Sequence, residues 1–421
     1  MTSALDRPRL DRRSGRAGTS SRAYWATAVV GLVLLQRLAV DVGGSEVPLT
    51  LPLALVWLVF GLVRGHLRTS RTASTAFGLA CATLAALSVV ALARGMAVSL
   101  SSLVFLVALY LPATARATRS AGAAVPWVLD LFVRVMGVFA ALGVVLFVAQ
   151  FAGLPYRDWL FEDLPASILQ GGYVTAYPLA YGSPVYRTNG VFFLEASFYS
   201  LFLGTALLVG IWRGASAWLL ALIALAMAAS ASGNGIIVVA VGVLWLLTTP
   251  HRRLLRRFAP AVLALAVAVA ATPLAALFTE RSTEISSTDS SASLRLVQPY
   301  EETLPAYTQD LPEMLLGHGA GSITTFFDET VGEVALIAPI PLKLLYEYGA
   351  IGLVAFGLFL WTALRRGVQT RPWTAGLLVA YLLLNEALLQ STIALLTILL
   401  LCLLGERDAD RRRPGPSRAA G

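Results

Sequence analysis

Charge is scarce in this sequence, and lysine is almost absent. Only 13% of the 421 residues are charged, whereas 57% are hydrophobic. A soluble domain of this size needs roughly twice that share of charged residues to cover its surface. Lys343 is the single lysine, so the net charge of +8 comes from arginine. This scarcity excludes an ordinary soluble enzyme and indicates a chain with most of its mass in a lipid bilayer.

Cysteine and histidine are also rare, which excludes several kinds of site. Cys81 and Cys402 lie inside apolar runs and are predicted to be small core residues, with neither a disulfide framework nor metal spacing. The three histidines are scattered, and only His318 falls in a predicted outer segment. The P-loop, HExxH, GxSxG and CxxC motifs are absent. We therefore expect no metal site and no cofactor.

Apolar runs recur from Tyr24 to Gly405, many near the roughly 20 residues that cross a hydrocarbon core. The backbone must satisfy its own hydrogen bonds there, so each run is predicted to be a helix. The predicted fold is an all-α polytopic membrane protein with about twelve transmembrane helices and two large extracytoplasmic loops. The predicted spans are 24–42, 47–63, 75–93, 97–113, 124–152, 191–212, 217–231, 235–250, 259–278, 337–364, 373–389 and 392–405.

The arginines predict which side of the membrane each segment faces. If the N-terminus is cytoplasmic, 24 of the 31 arginines fall in inside segments, which is a strong positive-inside pattern. Topology thus explains the basic residues without nucleic acid as a partner. Both termini are predicted to be cytoplasmic, with a basic tail over 1–23 and a disordered tail over 406–421. The transmembrane domain spans 24–405.

Two outer segments, about 153–190 and 279–336, are much longer than the others. Loops of this length in a compact protein are usually functional, although a solvated linker is the alternative. The second loop is acidic and begins with a Ser/Thr-rich stretch. Its middle part, Leu294–Leu316, has apolar spacing and is predicted to form one or two short helices lying over the membrane.

The first outer loop ends in YRTNGVFFLEASF, which runs into the sixth predicted span. Arg187 and Asn189 stand just before that span, and Glu195 is expected about one turn inside it. A carboxylate at that depth is costly unless it faces a polar cavity or a partner. These three residues are predicted to form a cluster at the outer mouth, or alternatively an interfacial anchor with an ion pair.

Two small-residue motifs follow. SASGNG (residues 230–235) separates the seventh and eighth spans, as a broken helix lining a cavity or as a plain tight turn. LLGHGAGS surrounds His318 with three glycines, which allow a tight turn and a close approach to a ligand. A loop histidine beside a helix start is the alternative for His318.

Two charged pairs lie inside predicted spans at a spacing of i,i+4, which places their partners on one helical face. They are Asp130 with Arg134, and Lys343 with Glu347. Such pairs are more often structural than catalytic. Lys343 and Glu347 lie nearer the outer side and are the better candidates for function.

RTNGVFFLEASF, SASGNG, LLGHGAGS and LLYEYGAIGL, in this order, resemble the motifs of the O-antigen ligase and Wzy-type polysaccharide polymerase superfamily. The resemblance covers about residues 145–365. It implies inverting, metal-independent glycosyl transfer on the outer face of the bacterial cytoplasmic membrane. The implied donor is an oligosaccharide on undecaprenyl pyrophosphate, whose leaving group Arg187 and Arg295 would hold. Guanidinium groups suit this role because they bind phosphate bidentately.

Three further residues complete the predicted substrate-binding set. Asn189, Lys343 and Glu347 are expected to bind substrate. Ligases usually carry a His-Asn pair about nine residues before the E-x-G motif, but here Ala338–Pro339 occupies that stretch. This difference favours a polymerase, with a lipid-linked glycan as acceptor and with flippase and chain-length proteins as possible partners. It leaves the base unassigned between Glu195 and His318, because a base needs a tunable pKa and access to the sugar.

Three alternatives stay open. An O-antigen-type ligase would use another acceptor. A lipid-linked oligosaccharide flippase fits twelve spans, but transporters usually show two related halves, and no repeat is visible here. A glycosyltransferase using a polyprenyl monophosphate sugar would use acids in the first outer loop, where Asp41 and Glu46 lie. That loop is very short, so this alternative ranks last.

Overall fold

The computed structural model describes residues 18–173, 175–179, 183–259, 263, 293, 297–330, 336–365, 371–384 and 388–404. This part of the chain is mostly helical. In chain order the helices are α1 (Thr19–Leu34), α2 (Thr50–Val63), α3 (Arg71–Ala93), α4 (Leu100–Tyr110), α5 (Arg119–Gly122), α6 (Val125–Phe151), α7 (Trp159–Asp163), α8 (Ala196–Arg213), α9 (Ala217–Ala229), α10 (Gly233–Thr248), α11 (Gln298–Tyr307), α12 (Leu311–Leu316), α13 (Ser322–Thr330), α14 (Ile340–Leu364), α15 (Pro372–Val379) and α16 (Ser391–Thr397). 3₁₀ helices lie at Leu111–Thr114, Ala166–Ile168 and Pro250–Phe258, and π-helical segments extend α15 and α16 at Ala380–Leu384 and Ile398–Leu403.

Four helices in the described ranges, α3, α6, α8 and α14, are long and apolar enough to cross a membrane. Shorter apolar helices, among them α2, α9, α10 and the segments that begin at Pro372 and Ser391, lie where further spans are predicted. The ninth predicted span, 259–278, falls almost entirely outside the described residues. The membrane character of the chain is thus supported, while the count of twelve spans and the loop assignment stay predictions.

Capping residues explain where several helices begin and end. The side chains of Ser70, Ser99 and Ser216 accept hydrogen bonds from backbone amides in the first turns of α3, α4 and α9. A serine at this position satisfies an amide that has no partner within the helix. Gly214 ends α8 in the left-handed conformation, with φ 77°, which glycine adopts without steric cost. These local signals separate α8 from α9 within three residues.

The contacts between helices fix their directions. Tyr24 of α1 stacks on Trp57 of α2, and a β-hairpin, β1 (Ala39–Val42) with β2 (Ser45–Pro48), joins this antiparallel pair. Phe77 of α3 lies against Phe359 of α14, and the two helices are also antiparallel. The all-α prediction missed β1 and β2. β1 lies within the first predicted span, 24–42, because hydropathy cannot distinguish a short apolar strand from the end of a helical run.

Among the four long apolar helices, α8 is the most buried, with nearly all of its residues inside the protein. It lies between α9, which runs antiparallel to it, and α10, which runs parallel to it. The parallel direction follows because Gly204 of α8 lies beside Gly235, and Leu208 lies beside Gly242 further along both helices. α15 also packs against α10, where a Cβ on Gly376 would meet the carbonyl oxygen of Val238.

The bundle has one arginine-rich end and one opposite end. At the arginine-rich end, β3 (Leu67–Thr69) pairs antiparallel with β4 (Ala115–Ala117), a second small sheet that the sequence did not predict. The opposite end holds the β1–β2 hairpin, the segment between α6 and α8, and helices α11–α13. The assignment of the arginine-rich end to the cytoplasm stays a prediction.

The middle of the second predicted outer loop forms short helices as predicted. α11 and α12 fall within Leu294–Leu316, of which residues 294–296 lie outside the described part. Together with α13 they pack on the first half of α14 through a small apolar core that includes Tyr307, Phe327, Leu342 and Tyr346. This segment is therefore a folded cap on α14, and the linker alternative is wrong for its described part.

Candidate functional site

A tight turn over residues 188–194 precedes α8 at the opposite end of the bundle. The side-chain oxygen of Asn189 accepts a hydrogen bond from the amide of Val191 (3.0 Å), and its amide nitrogen donates to the carbonyl of Phe193 (3.4 Å). Val191 has φ 69°. This conformation is uncommon for a β-branched residue and costs about 1–3 kcal/mol. The surrounding contacts must hold it in place.

A buried ion pair supplies one of these contacts. The guanidinium of Arg37 donates to both carboxylate oxygens of Asp158, at 2.6 and 2.8 Å. The same Arg37 nitrogen that bonds Oδ1 also donates to the carbonyl of Val191 (2.9 Å). The side chains of Arg37 and Asp158 are only 4% and 7% exposed. Both peptide groups of Val191 are thus held, the N–H by Asn189 and the C=O by Arg37.

The environment of Asp158 stabilises its charged form. Burial alone raises the pKa of this carboxyl, but hydrogen bonds and the charge of Arg37, with further bonds from Thr175 and the Phe161 amide, hold the pKa below its ordinary value. A carboxyl with a lowered folded-state pKa stabilises the protein above the unfolded-state pKa of aspartate. That contribution is lost as the pH falls through the folded-state pKa.

Arg187 lies on one arm of a narrow loop whose other arm contains Tyr177 and Pro178. Its backbone amide donates to the Tyr177 carbonyl, and its Nε donates to the Pro178 carbonyl (3.1 Å). The guanidinium carbon lies 5.5 Å from the centre of the Tyr177 ring. The half-buried Arg187 is therefore oriented by its own loop, immediately before the 188–194 turn.

The sequence predicted that Glu195 lies about one turn inside a helix. This is wrong, because Glu195 is the N-cap residue of α8. Its backbone is extended, and its carboxylate accepts a hydrogen bond from the Ser197 hydroxyl (3.0 Å). Hydropathy could not locate this boundary, because the apolar residues Val191–Leu194 belong to the turn and not to the helix. A carboxylate at a helix N-terminus interacts favourably with the helix dipole.

The SASGNG motif forms a tight turn between α9 and α10, and not a broken helix. The amide of Thr188 donates to the carbonyl of Ala229 (3.3 Å), which joins this turn to the 188–194 turn. The Ser200 hydroxyl donates to the Ser232 carbonyl (3.1 Å) and accepts from the Gly235 amide (3.2 Å). The second turn of α8 and the first turn of α10 are therefore connected directly. Because the two helices are parallel, their N-termini lie side by side at the opposite end.

A second cluster surrounds a kink in α14. Gly349 has φ 63° and ψ −174°, which interrupts the helix after the E-x-G motif begins. Residues 317–321, which we call the glycine turn, lie against this kink. The amides of His318 and Gly319 donate to the carbonyls of Tyr346 (3.0 Å) and Glu347 (2.7 Å). The glycine turn thereby supplies hydrogen bonds to carbonyls at the kink.

His318 is engaged on both ring nitrogens. Nε2 lies 3.2 Å from a carboxylate oxygen of Glu313, and Nδ1 lies 3.2 Å from the carbonyl of Tyr346. The ring also stacks on Tyr346, with centroids 4.3 Å apart. Glu313 contacts Arg94 at the end of α3 (3.4 Å). In this arrangement His318 connects α12 to α14. It is a loop residue, as the alternative prediction has it, but its ring is held by both helices.

Lys343 and Glu347 form the ion pair that their spacing predicts, with Nζ 3.4 Å from Oε1. Both side chains are only 1% exposed. The other predicted pair is wrong, because Asp130 binds Arg213 of α8 with two hydrogen bonds of 2.8 and 3.0 Å. A spacing of i,i+4 allows Arg134 to reach Asp130, but a bidentate partner on a neighbouring helix has the better geometry.

The predicted site residues thus fall into two clusters. Arg187, Asn189 and Glu195 lie in or beside the 188–194 turn, whereas His318, Lys343 and Glu347 surround the kink of α14. Arg295 lies outside the described residues. Sequence reasoning missed the contributions of Arg37, Asp158, Arg94 and Glu313, which connect these clusters to distant segments. The sequence did contain one indication of these contacts. Arg37, Arg94 and Arg187 are among the seven arginines that do not fall in predicted cytoplasmic segments.

Comparison with known proteins adds no relative. The chain matches no family model, no curated protein and no solved structure. In the described part of the chain, no group of three or more histidine, cysteine, aspartate or glutamate residues is placed to hold a metal ion. The resemblance to the ligase and polymerase superfamily and the metal independence stay predictions, which activity assays must test.

Proposed function

We propose that this protein is a Wzy-like glycan polymerase of the bacterial cytoplasmic membrane. It transfers an oligosaccharide from undecaprenyl pyrophosphate to a lipid-linked glycan acceptor on the outer face. In this proposal the opposite end of the bundle faces outward, and both termini lie in the cytoplasm. The reaction forms a new glycosidic bond at the anomeric carbon, while the bond to the pyrophosphate breaks and the acceptor hydroxyl loses its proton.

The observation that carries the proposal is the pair of helix N-termini beside Arg187. α8 and α10 begin side by side, and the Ser200 hydroxyl connects the second turn of α8 to the start of α10. Each N-terminus carries partial positive charge and amides without helical partners, which suits a phosphate group. The segment that contains Arg187 is bonded to the end of α9 beside them. A pyrophosphate leaving group needs this kind of positive surface, because negative charge develops on it as the bond breaks.

The entrance of α14 supports polymerase over ligase. The ligase pattern places a His-Asn pair here, but Ala338 is buried and Pro339 is the N-cap residue of α14. Neither side chain can accept a proton. The base must then come from elsewhere, and Glu195 is the better of the two candidates. His318 already has an acceptor at each ring nitrogen, whereas Glu195 lies at the N-terminus of α8.

The proposal is tested with the purified full-length protein in lipid nanodiscs and purified undecaprenyl-pyrophosphate oligosaccharide. We expect glycans longer than one repeat on a gel, and we expect them in EDTA as well. Arg187→Ala should lower the initial rate by about 10²–10³-fold, because it removes a donor to the leaving group. Arg187→Ala combined with Arg295→Ala should abolish elongation.

Arg157→Ala is the matched control, because Arg157 is an exposed arginine in the same outer segment, paired with Glu162 and Asp163. It should polymerise at the wild-type rate. Unchanged elongation in the Arg187 and Arg295 double variant contradicts the mechanism. Transbilayer movement of a fluorescent donor without any new glycosidic bond identifies a flippase instead, and transfer only to a different acceptor identifies a ligase.

A second pair of variants separates the two base candidates. Glu195→Gln should lower kcat by about 10²-fold or more, because a general base contributes roughly 10²–10⁴-fold. His318→Gln should retain most of the kcat and lower the melting temperature, because it weakens the connection between α12 and α14. Both variants are assayed for initial rate and for thermal unfolding. The reverse pattern, with kcat lost only in His318→Gln, assigns the base to His318.

A further inference from the structure

Arg37 is separated in sequence from every motif of the proposed site, yet it contacts the centre of one of them. Its guanidinium bonds Asp158 through two parallel hydrogen bonds and the Val191 carbonyl through a third. The backbone of the same residue is also fixed, because its carbonyl accepts from the Gln170 amide (2.8 Å), beside a bridge between Leu38 and Leu169. Arg37 therefore connects the end of α1 and the outer segment to the 188–194 turn.

The pair is too buried to bind substrate itself. Arg37 and Asp158 are almost fully enclosed, and each of their charges faces the other. Asp158 is also the N-cap of α7, where it accepts from the Phe161 amide (3.2 Å). The two parallel hydrogen bonds to the carboxylate fix the plane of the guanidinium, which the single ammonium group of a lysine cannot reproduce. Its remaining donor contact is the carbonyl of the strained Val191.

We propose that Arg37 and Asp158 are positioning residues, which hold the Val191 backbone in its left-handed conformation and thereby place Arg187 and Glu195 at the two ends of the turn. This inference rests on the proposed function for its consequence in catalysis. The mechanism is geometric: Asn189 fixes the amide of Val191, and Arg37 fixes its carbonyl. Release of either end allows the turn to relax, and displacement of a catalytic group by about 1 Å costs on the order of 10²-fold in rate.

The first test measures the turn without using activity. Backbone hydrogen exchange is followed by mass spectrometry in the purified full-length protein, in peptides that cover residues 187–194. Arg37→Lys keeps the charge and removes the fork, and we expect exchange in the turn to become at least about tenfold faster. Asp158→Asn should have the same effect. Arg157→Lys is the matched control: the same substitution, one residue before Asp158, at an exposed ion-paired arginine.

The second test separates positioning from general stability. With the polymerisation assay, Arg37→Lys should lower kcat per folded molecule by about tenfold or more, with the KM for the lipid-linked donor changed by less than about threefold. Because Arg37→Lys could reduce the folded fraction, Val191→Gly is added to it. Glycine adopts φ 69° without strain, so the double variant should recover melting temperature. The carbonyl of residue 191 still lacks its bond from Arg37, so the turn should still exchange rapidly and kcat should stay low.

The outcomes are distinct. Wild-type exchange in the 187–194 peptides of Arg37→Lys and Asp158→Asn overturns the inference, whatever the activity. Wild-type kcat in Arg37→Lys, with only the melting temperature lowered, also overturns it, because the pair is then merely structural. If the wild-type protein forms no glycosidic bond, the proposed function fails, but faster exchange in the turn still supports the positioning role of Arg37.

Discussion

Replacement of Gly349 with alanine is expected to unfold much of the protein at temperatures at which the wild type is stable. A Cβ at this position overlaps the carbonyl group of Leu315, and the amide nitrogen of Leu316 lies 2.6 Å away. All of these are backbone atoms, which cannot move aside as a flexible side chain can. The backbone of Gly349, with φ 63° and ψ −174°, also lies in a region that only glycine adopts readily.

These two effects act together in Gly349→Ala. The unfavourable backbone conformation costs about 1–3 kcal/mol, and overpacking costs about 1–3 kcal/mol more. Relaxation of the kink would separate α14 from the glycine turn, where a Cβ on Gly317 would likewise lie only 2.5 Å from the Gly349 amide nitrogen. We therefore expect a large fall in melting temperature and loss of the glycine turn's protection from hydrogen exchange. Unfolding can be followed in a Cys81→Ser background, since Cys81 is only half-buried, with a maleimide dye that reacts when the buried Cys402 becomes exposed.

Gly357→Ala is the matched control, because it makes the same change eight residues later on the same helix. A Cβ there meets nothing within 4 Å. Alanine stabilises a helix interior by up to about 1 kcal/mol relative to glycine, so the melting temperature should stay the same or rise. Equal melting temperatures for Gly349→Ala and Gly357→Ala contradict the backbone contact between α14 and the glycine turn.

The sequence predicts the helices better than it predicts the sites, and the reason is physical. A bilayer selects apolar runs, so α3, α6 and α14 lie close to their predicted positions. The same hydropathy cannot show where a run stops being a helix, and Glu195 is therefore displaced from inside α8 to its N-cap. The sequence shows the E-x-G and LLGHGAGS motifs, but it does not show why they contain glycine. In the structure the backbone of the glycine turn touches the backbone of α14 at Gly349, which leaves no room for a Cβ.

Long-range ion pairs were the other part that sequence reasoning missed. The Arg37–Asp158 pair joins residues 121 positions apart, and Arg213 lies 83 positions from Asp130. Local spacing predicts only partners on one helix, as it did for Lys343 and Glu347. A buried charge guarantees that some partner exists, because an unpaired one is too costly. It does not show which segment supplies that partner, and only the packing of the helices decides it.

The contact between α8 and α10 gives the last prediction, Gly235→Ala, which links the fold to the proposed phosphate site. A Cβ on Gly235 overlaps the carbonyl oxygen of Ser200 and lies 2.5 Å from its hydroxyl. The added methyl group must push the two helices apart, since the obstacle is the backbone of α8, which is almost entirely buried. The Gly235 amide would then lose its bond to the Ser200 hydroxyl. We expect the variant to lose about 1–3 kcal/mol of stability through overpacking.

The effect on function should exceed the effect on folding if the two N-termini bind pyrophosphate together. Helix-terminus electrostatics falls off within the first turn, so a small separation weakens the binding of one phosphate by both helices. At a temperature where Gly235→Ala remains folded, we expect polymerisation to fall by about tenfold or more. Gly233→Ala is the matched control, two residues before Gly235 in the first turn of α10. A Cβ there meets nothing within 4 Å, so this variant should retain wild-type stability and activity. Wild-type activity in folded Gly235→Ala contradicts a shared phosphate site. Only the alanine at position 235 separates the helices. Equal loss of activity in both variants would therefore have another cause, the reduced flexibility of the SASGNG turn.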